Sequence, residues 1–143
     1  MADFFKQVNE FATKAKISNE RVMRGATIKL FSSVIMASPV DSGRFRANWQ
    51  LSGPSPASGV TSGNDTGGTT ASSVAQEVAS SAQWQEFTLA NNLPYAAKLE
   101  FGGYPGDGPK TAGGFSTQAP RGMVRVNVAR FDAIVEQMAR AQR

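Results

Sequence analysis

The chemistry open to this sequence is narrow. Its 143 residues contain no histidine and no cysteine, so the commonest general base, the usual soft metal ligands and the thiolate nucleophile are all missing. Carboxylates remain, at Asp41, Asp65, Glu77, Glu86, Glu100, Asp107, Asp132 and Glu136 among others. They are scattered, and no pair has metal-ligand spacing within a recognisable helix or loop motif. Gly102-Gly103-Tyr104-Pro105-Gly106 has the glycine content of a phosphate loop but not its glycine-lysine-serine/threonine ending. Arg44 and Arg46 beside Phe45 and Trp49 are the residues a nucleic-acid reader would use. Strand alternation, however, puts the arginines opposite the aromatics, which suits core aromatics and an outward basic row better than a stacking platform. The sequence therefore predicts no catalytic, cofactor-binding or metal-binding residue, and a protein that is not an enzyme.

The elements that would position these residues follow from periodicity. Phe4, Phe5, Val8, Phe11, Ala12 and Ala15 recur at three- and four-residue spacing and predict a short amphipathic helix. Ser18 then caps a second helix with the stripe Val22, Met23, Ala26, Thr27, Leu30, Phe31, Val34 and Ile35, ended by Pro39. Val40-Asp41-Ser42-Gly43 reads as a turn, with Asp41 as a turn residue and Gly43 supplying positive φ. Phe45, Ala47, Trp49 and Leu51 then alternate with Arg44, Arg46, Asn48 and Gln50, predicting a half-buried strand.

Residues 52–69 are dominated by Gly, Ser, Thr, Pro and Asp and predict a mobile loop, ordered by a partner if at all. Residues 70–81 fit either a short helix or a strand. Residues 84–91 predict a second strand. Pro94-Tyr95 opens a helical turn through Phe101, closed by Gly102-Gly103, and a glycine-rich loop runs over 103–118. From Pro120 to Met138 a single helix is predicted, with proline at its first position. Glu100 has two readings, an ion pair with a basic residue such as Arg44 or a solvent-facing position. The sum is one α+β domain over residues 1–143, a small antiparallel sheet packed with a long N-terminal helix region and a C-terminal helix.

Charge is segregated along the chain. Residues 1–51 carry eight basic and four acidic side chains, and residues 95–143 carry seven and four. Residues 52–94 carry no basic group and only Asp65, Glu77 and Glu86. Basic ends around an acidic middle suit several charged neighbours, although a modest basic excess is also an ordinary solvated surface. No apolar run approaches the ~20 residues of a membrane helix, so the reading is a soluble protein made in the cytosol, with no membrane partner.

Three ordered segments carry a resemblance: Ser38-Pro39-Val40-Asp41-Ser42-Gly43-Arg44-Phe45-Arg46-Ala47-Asn48-Trp49, then Asn91-Asn92-Leu93-Pro94-Tyr95-Ala96-Ala97-Lys98-Leu99-Glu100-Phe101-Gly102, then Gln118-Ala119-Pro120-Arg121-Gly122-Met123-Val124-Arg125. Together they resemble the tail-completion, or neck, family of long-tailed siphophages, often labelled minor tail or head-tail joining proteins. The match spans roughly residues 20–139. The insertion at 52–69 and the aromatic N-terminal segment depart from the family pattern.

The resemblance implies a non-enzymatic virion protein at the head-tail junction, made in the host cytoplasm and forming a closed ring, generally sixfold. Its implied partners are further copies of itself, a tail-terminator or tail-tube protein, a head-completion or connector protein, and genome DNA in transit. Asp41, Arg44, Arg46, Glu100, Arg121 and Arg125 are the candidates for subunit or ring interfaces. A basic channel would hold DNA phosphates, so the acidic stretch with Asp65, Glu77 and Glu86 is the candidate for the lumen wall. Rival readings are a tail-terminator or head-closure ring subunit and, from another class, a basic nucleic-acid-binding protein.

Overall fold

Without a glycine or proline before Gly25, nothing in the N-terminal segment forces a helix to stop. In the computed structural model, which describes residues 2–82 and 85–141, one helix α1 runs unbroken over Ala2–Met36. The two helices expected on either side of Ser18 are therefore one, because a serine can cap but does not break a helix. Gly25 sits where a Cβ would meet the Met138 sulfur at 3.1 Å, so its missing side chain lets the C-terminal helix approach.

The half-buried strand expected from Phe45 is also corrected. Arg44–Ala47 form a helical turn, α2, entered through Gly43 at φ 91°, and the strand β1 begins only at Trp49–Ser52. Alternation fails because one helical turn rotates the chain out of the two-residue period. Phe45 and Trp49 are buried as expected, but so are Arg46 and Asn48.

Residues 70–81 resolve as helix: α3, Thr69–Ser80, buries Ala71, Val74 and Val78 at three- and four-residue spacing. Strand β2 is confined to Thr88–Asn91 and pairs antiparallel with β1, Trp49 opposite Asn91 and Ser52 opposite Thr88. The Trp84 end of the expected strand lies outside the described residues. Helix α4, Ala96–Phe101, ends at Gly102 with φ 86°, as its glycine pair predicts. The loop that follows contains a small hairpin of β3 (Thr111–Ala112) and β4 (Phe115–Ser116).

The last expected helix is two, α5 over Val124–Val128 and α6 over Phe131–Ala141. Pro120 is not the first helical residue; it precedes a turn at Gly122, φ 80°, and the helix starts after it. The C-terminal half of α1 packs on α3, α5 and α6. Val34, Ile35, Phe45, Trp49, Leu93, Leu99 and Met123 form one core between these helices and the β1–β2 pair. The fold is α+β, with a long N-terminal helix, a small antiparallel sheet and a C-terminal helix. None of the described helices is long and apolar enough to cross a membrane.

Candidate functional site

The carbonyls at the C-terminus of α1 need donors, and Pro39 prevents the helix from supplying its own. Arg46 answers this from α2. One guanidinium nitrogen donates to the carbonyls of Met36 and Ser38, each at 3.1 Å, and another to that of Gly67 at 2.8 Å. The Trp49 indole N–H donates to the Ser38 hydroxyl at 2.8 Å, and that hydroxyl donates to the Val34 carbonyl. Arg46 is 8% exposed. Its proposed place at a subunit interface is thus corrected: the side chain is spent inside the subunit, tying the end of α1 to the loop before α3.

Asn48, fully buried, grips the same loop like a paired backbone. Its Oδ1 accepts from the Thr61 N–H at 2.8 Å, and its Nδ2 donates to the Thr61 and Arg44 carbonyls. Residues 53–68 have no regular structure, as their composition predicts, and Arg46 and Asn48 of this chain anchor them at Gly67 and Thr61. Replacing Asn48 with alanine is expected to free Thr61 and its neighbours selectively. Their amide exchange should accelerate at least tenfold while the α1 core amides keep their protection in proportion to global stability.

Asp65 closes this loop. Its backbone N–H donates to the Gly43 carbonyl at 2.8 Å, and its carboxylate accepts from the N–H groups of Gly67 and Thr70, each at 2.9 Å, at the start of α3. Burial is the largest single influence on the carboxyl and pushes its pKa up, but the hydrogen bonds from Thr70, Gly67 and Thr69 together outweigh it and hold the pKa below 3.8. Asp65 is 5% exposed, so its assignment to a channel wall is corrected. Glu77 and Glu86 are exposed.

Glu100 is likewise internal, and its partner is not Arg44. Its carboxylate accepts from the backbone N–H groups of Met123, Val124 and Arg125 at 2.9–3.1 Å, which are the orphan donors at the start of α5. The Arg125 side chain adds an ion pair at 3.4 Å and donates to the Glu100 carbonyl. Burial again has the largest influence and acts upward; these donors together override it and lower the pKa below 4.5. Arg125 then extends outward over the exposed Phe101 ring, 4.6 Å from its centroid.

A groove of about 480 Å³ opens between the turn and α4, lined by Val40, Arg44, Phe45, Tyr95, Tyr104 and Gln118 among others. The Gln118 amide pairs with both polar groups of the Val40 backbone, at 2.8 and 3.0 Å, holding one wall to the other. Asp41 and Lys110 form an exposed ion pair at its edge, 3.5 Å apart. Among the interface candidates, Asp41, Arg44 and Arg121 are exposed, and the outer part of Arg125 is. Among the described residues there is no cluster of three or more carboxylates able to hold a metal ion.

Sequence reasoning missed the internal roles of Ser38, Asn48 and Gln118. It also missed Arg24, whose guanidinium donates to the Val78 and Ser81 carbonyls at the end of α3. Apart from the local bonds of Ser38 to Val34 and of Asn48 to Arg44, the partners of these side chains lie 11 to 78 residues away, and no local spacing signals such contacts. No family model, curated protein or solved structure matches this chain.

Proposed function

We propose that the chain is a structural subunit of the neck of a long-tailed bacteriophage, a tail-completion protein that repeats around the channel between tail and head connector. The observation that carries this reading is the meeting of the three resembling segments in one internal scaffold. Asn91 donates to the Phe45 carbonyl, Gln118 holds Val40, and Glu100 holds residues 123–125. Segments up to 78 residues apart thus form one module, which supports reading them as a single family pattern rather than three coincidences.

The remaining surface supports the same reading. Phe45 and Trp49 are buried, so they offer no stacking platform for single-stranded nucleic acid. Exposed apolar groups occur on several elements, at Phe4, Phe5, Val8 and Phe11 on α1, at Phe101 on α4 and at Val128 on α5, as suits a subunit with unlike neighbours. Of the lumen candidates, Glu77 and Glu86 keep an exposed carboxylate for the channel wall.

A cryo-EM map of the neck of the particle that carries this chain tests the proposal. The expected result is a closed ring, six copies around the tail axis between the tail tube and the connector. Absence of the chain from the neck, or a single copy off the axis, would overturn it.

A further inference from the structure

The groove of about 480 Å³ between the turn at 40–43 and α4 is built before anything enters it. Phe45 and Leu99, 5% and 6% exposed, form its floor, and the Tyr95 ring packs on Phe45 with centroids 5.8 Å apart. The Gln118 amide bonds to Val40, and the Asp65 N–H donates to the Gly43 carbonyl, so the turn that forms one wall is fixed from within. All three resembling segments contribute to the lining, through Arg44, Tyr95 and Gln118. A preformed apolar floor of this size takes one bulky side chain with its flanking backbone.

The polar groups of the groove have capacity to spare. Arg44 is exposed, and among the described residues its guanidinium makes no hydrogen bond or ion pair; only its backbone is engaged. Tyr95 and Tyr104 make ring contacts, while their hydroxyls have no partner among the described residues. The Lys110 amine has one partner, the carboxylate of Asp41 at 3.5 Å, and both side chains are more than three-quarters exposed. Asp41 is the only acid among the lining residues. Its contact with Lys110 marks a place at the edge where a carboxylate sits, and a pair so exposed is weak enough for another carboxylate to displace it.

We infer that this groove binds an extended acidic segment of another protein, with one bulky apolar or aromatic side chain seated on Phe45 and Leu99 and a neighbouring carboxylate set against Arg44 and Lys110. The apolar floor supplies most of the affinity, and the two cations select the charge. A second copy of this chain is the poorer occupant, because its exposed aromatic rings stand among bases. Phe4, Phe5 and Phe11 share the start of α1 with Lys6, Lys14 and Lys16 against Asp3 and Glu10, and Phe101 lies under Arg125. A nucleic-acid strand needs a row of cations along its phosphates, and this rim has two, with Asp41 beside one of them. The inference goes beyond the neck reading and does not rest on it.

The test is selection from a library of random short peptides on the immobilised full chain, followed by NMR titration of the labelled chain with an enriched peptide. The parent chain should enrich peptides in which Asp or Glu stands next to Phe, Tyr, Trp or Leu. The titration should move the amides of residues 40–45, Tyr104 and Thr111. Arg44→Glu and Lys110→Glu should each weaken that peptide at least tenfold. Asp41→Asn, which removes the competing carboxylate, should tighten it by about threefold. All three altered side chains are exposed, and circular dichroism checks that each variant keeps the fold.

No enrichment, enrichment of basic or uncharged peptides, or shifts confined to other residues overturns the inference. Binding that ignores Arg44→Glu and Lys110→Glu, or that weakens with Asp41→Asn, does so as well. A thymidine oligonucleotide that moves the same amides at lower concentration than the peptide would replace the acidic segment by a nucleic-acid strand and equally sink it. None of these results bears on whether the chain forms a ring at the neck, and the neck map leaves the groove's ligand to this experiment.

Discussion

Replacing Glu100 with alanine is expected to destabilise the fold by roughly 3 kcal/mol, measured as a lower midpoint in urea unfolding with an unchanged slope. The substitution leaves the N–H groups of Met123, Val124 and Arg125 without their acceptor, and the first of these bonds is buried. An unmet buried donor costs about 1–3 kcal/mol, and bonds to a charged acceptor lie at the upper end of the range. The Arg125 ion pair adds little, because that guanidinium is more than half exposed. Glu100→Gln, which keeps one acceptor oxygen, should recover part of the loss. A loss under 0.5 kcal/mol for the alanine variant would show that water satisfies α5 without the carboxylate.

The same carboxylate sets a pH dependence. Glu100 and Asp65 both have folded pKa values below their ordinary 4.5 and 3.8. For groups lowered by folding, the stabilisation is complete above the ordinary value and is lost as pH falls through the folded one. Stability to urea should therefore be flat with respect to these two groups at neutral pH and should fall on acidification below about pH 4.5. Glu100→Gln should flatten that fall, and an unaltered acid profile in this variant would remove Glu100 as its source.

Gly43→Ala should be at least as damaging, by roughly 2–4 kcal/mol. Gly43 holds φ 91°, which an L side chain rarely adopts, and an added Cβ would lie 2.6 Å from the Asp65 backbone. That neighbour is main chain fixed by its own bond to the Gly43 carbonyl, so it cannot move aside without breaking the contact. The damage should spread to the start of α3, which Asp65 caps, and exchange of the Thr70 amide should rise with it. Gly59→Ala is the control. It also has positive φ, 78°, but nothing lies within 4 Å of an added Cβ, so only the conformational strain of about 1 kcal/mol remains. Equal losses for the two substitutions would mean that the Asp65 collision contributes nothing.

Periodicity and glycine placement were enough to read the α+β class, the apolar stripe of α1, the buried Phe45 and Trp49, and the Gly102 stop of α4. Each is a local property: side chains three or four apart share a helical face, and glycine alone takes positive φ without strain.

What only the tertiary structure decided is where the polar groups go. Arg46 and Asn48 read as outward residues of a strand, yet both are buried, because the end of α1 and the loop at Thr61 have backbone groups that the local chain cannot satisfy. Asp65 and Glu100 read as surface charges facing a channel or a neighbour; both instead cap helices inside the subunit. Helix α5 begins after Gly122 rather than at Pro120 because the donors it must satisfy meet their acceptor, Glu100, 23 to 25 residues upstream. A buried polar group must find a partner wherever the fold brings one, and that partner leaves no mark in local spacing.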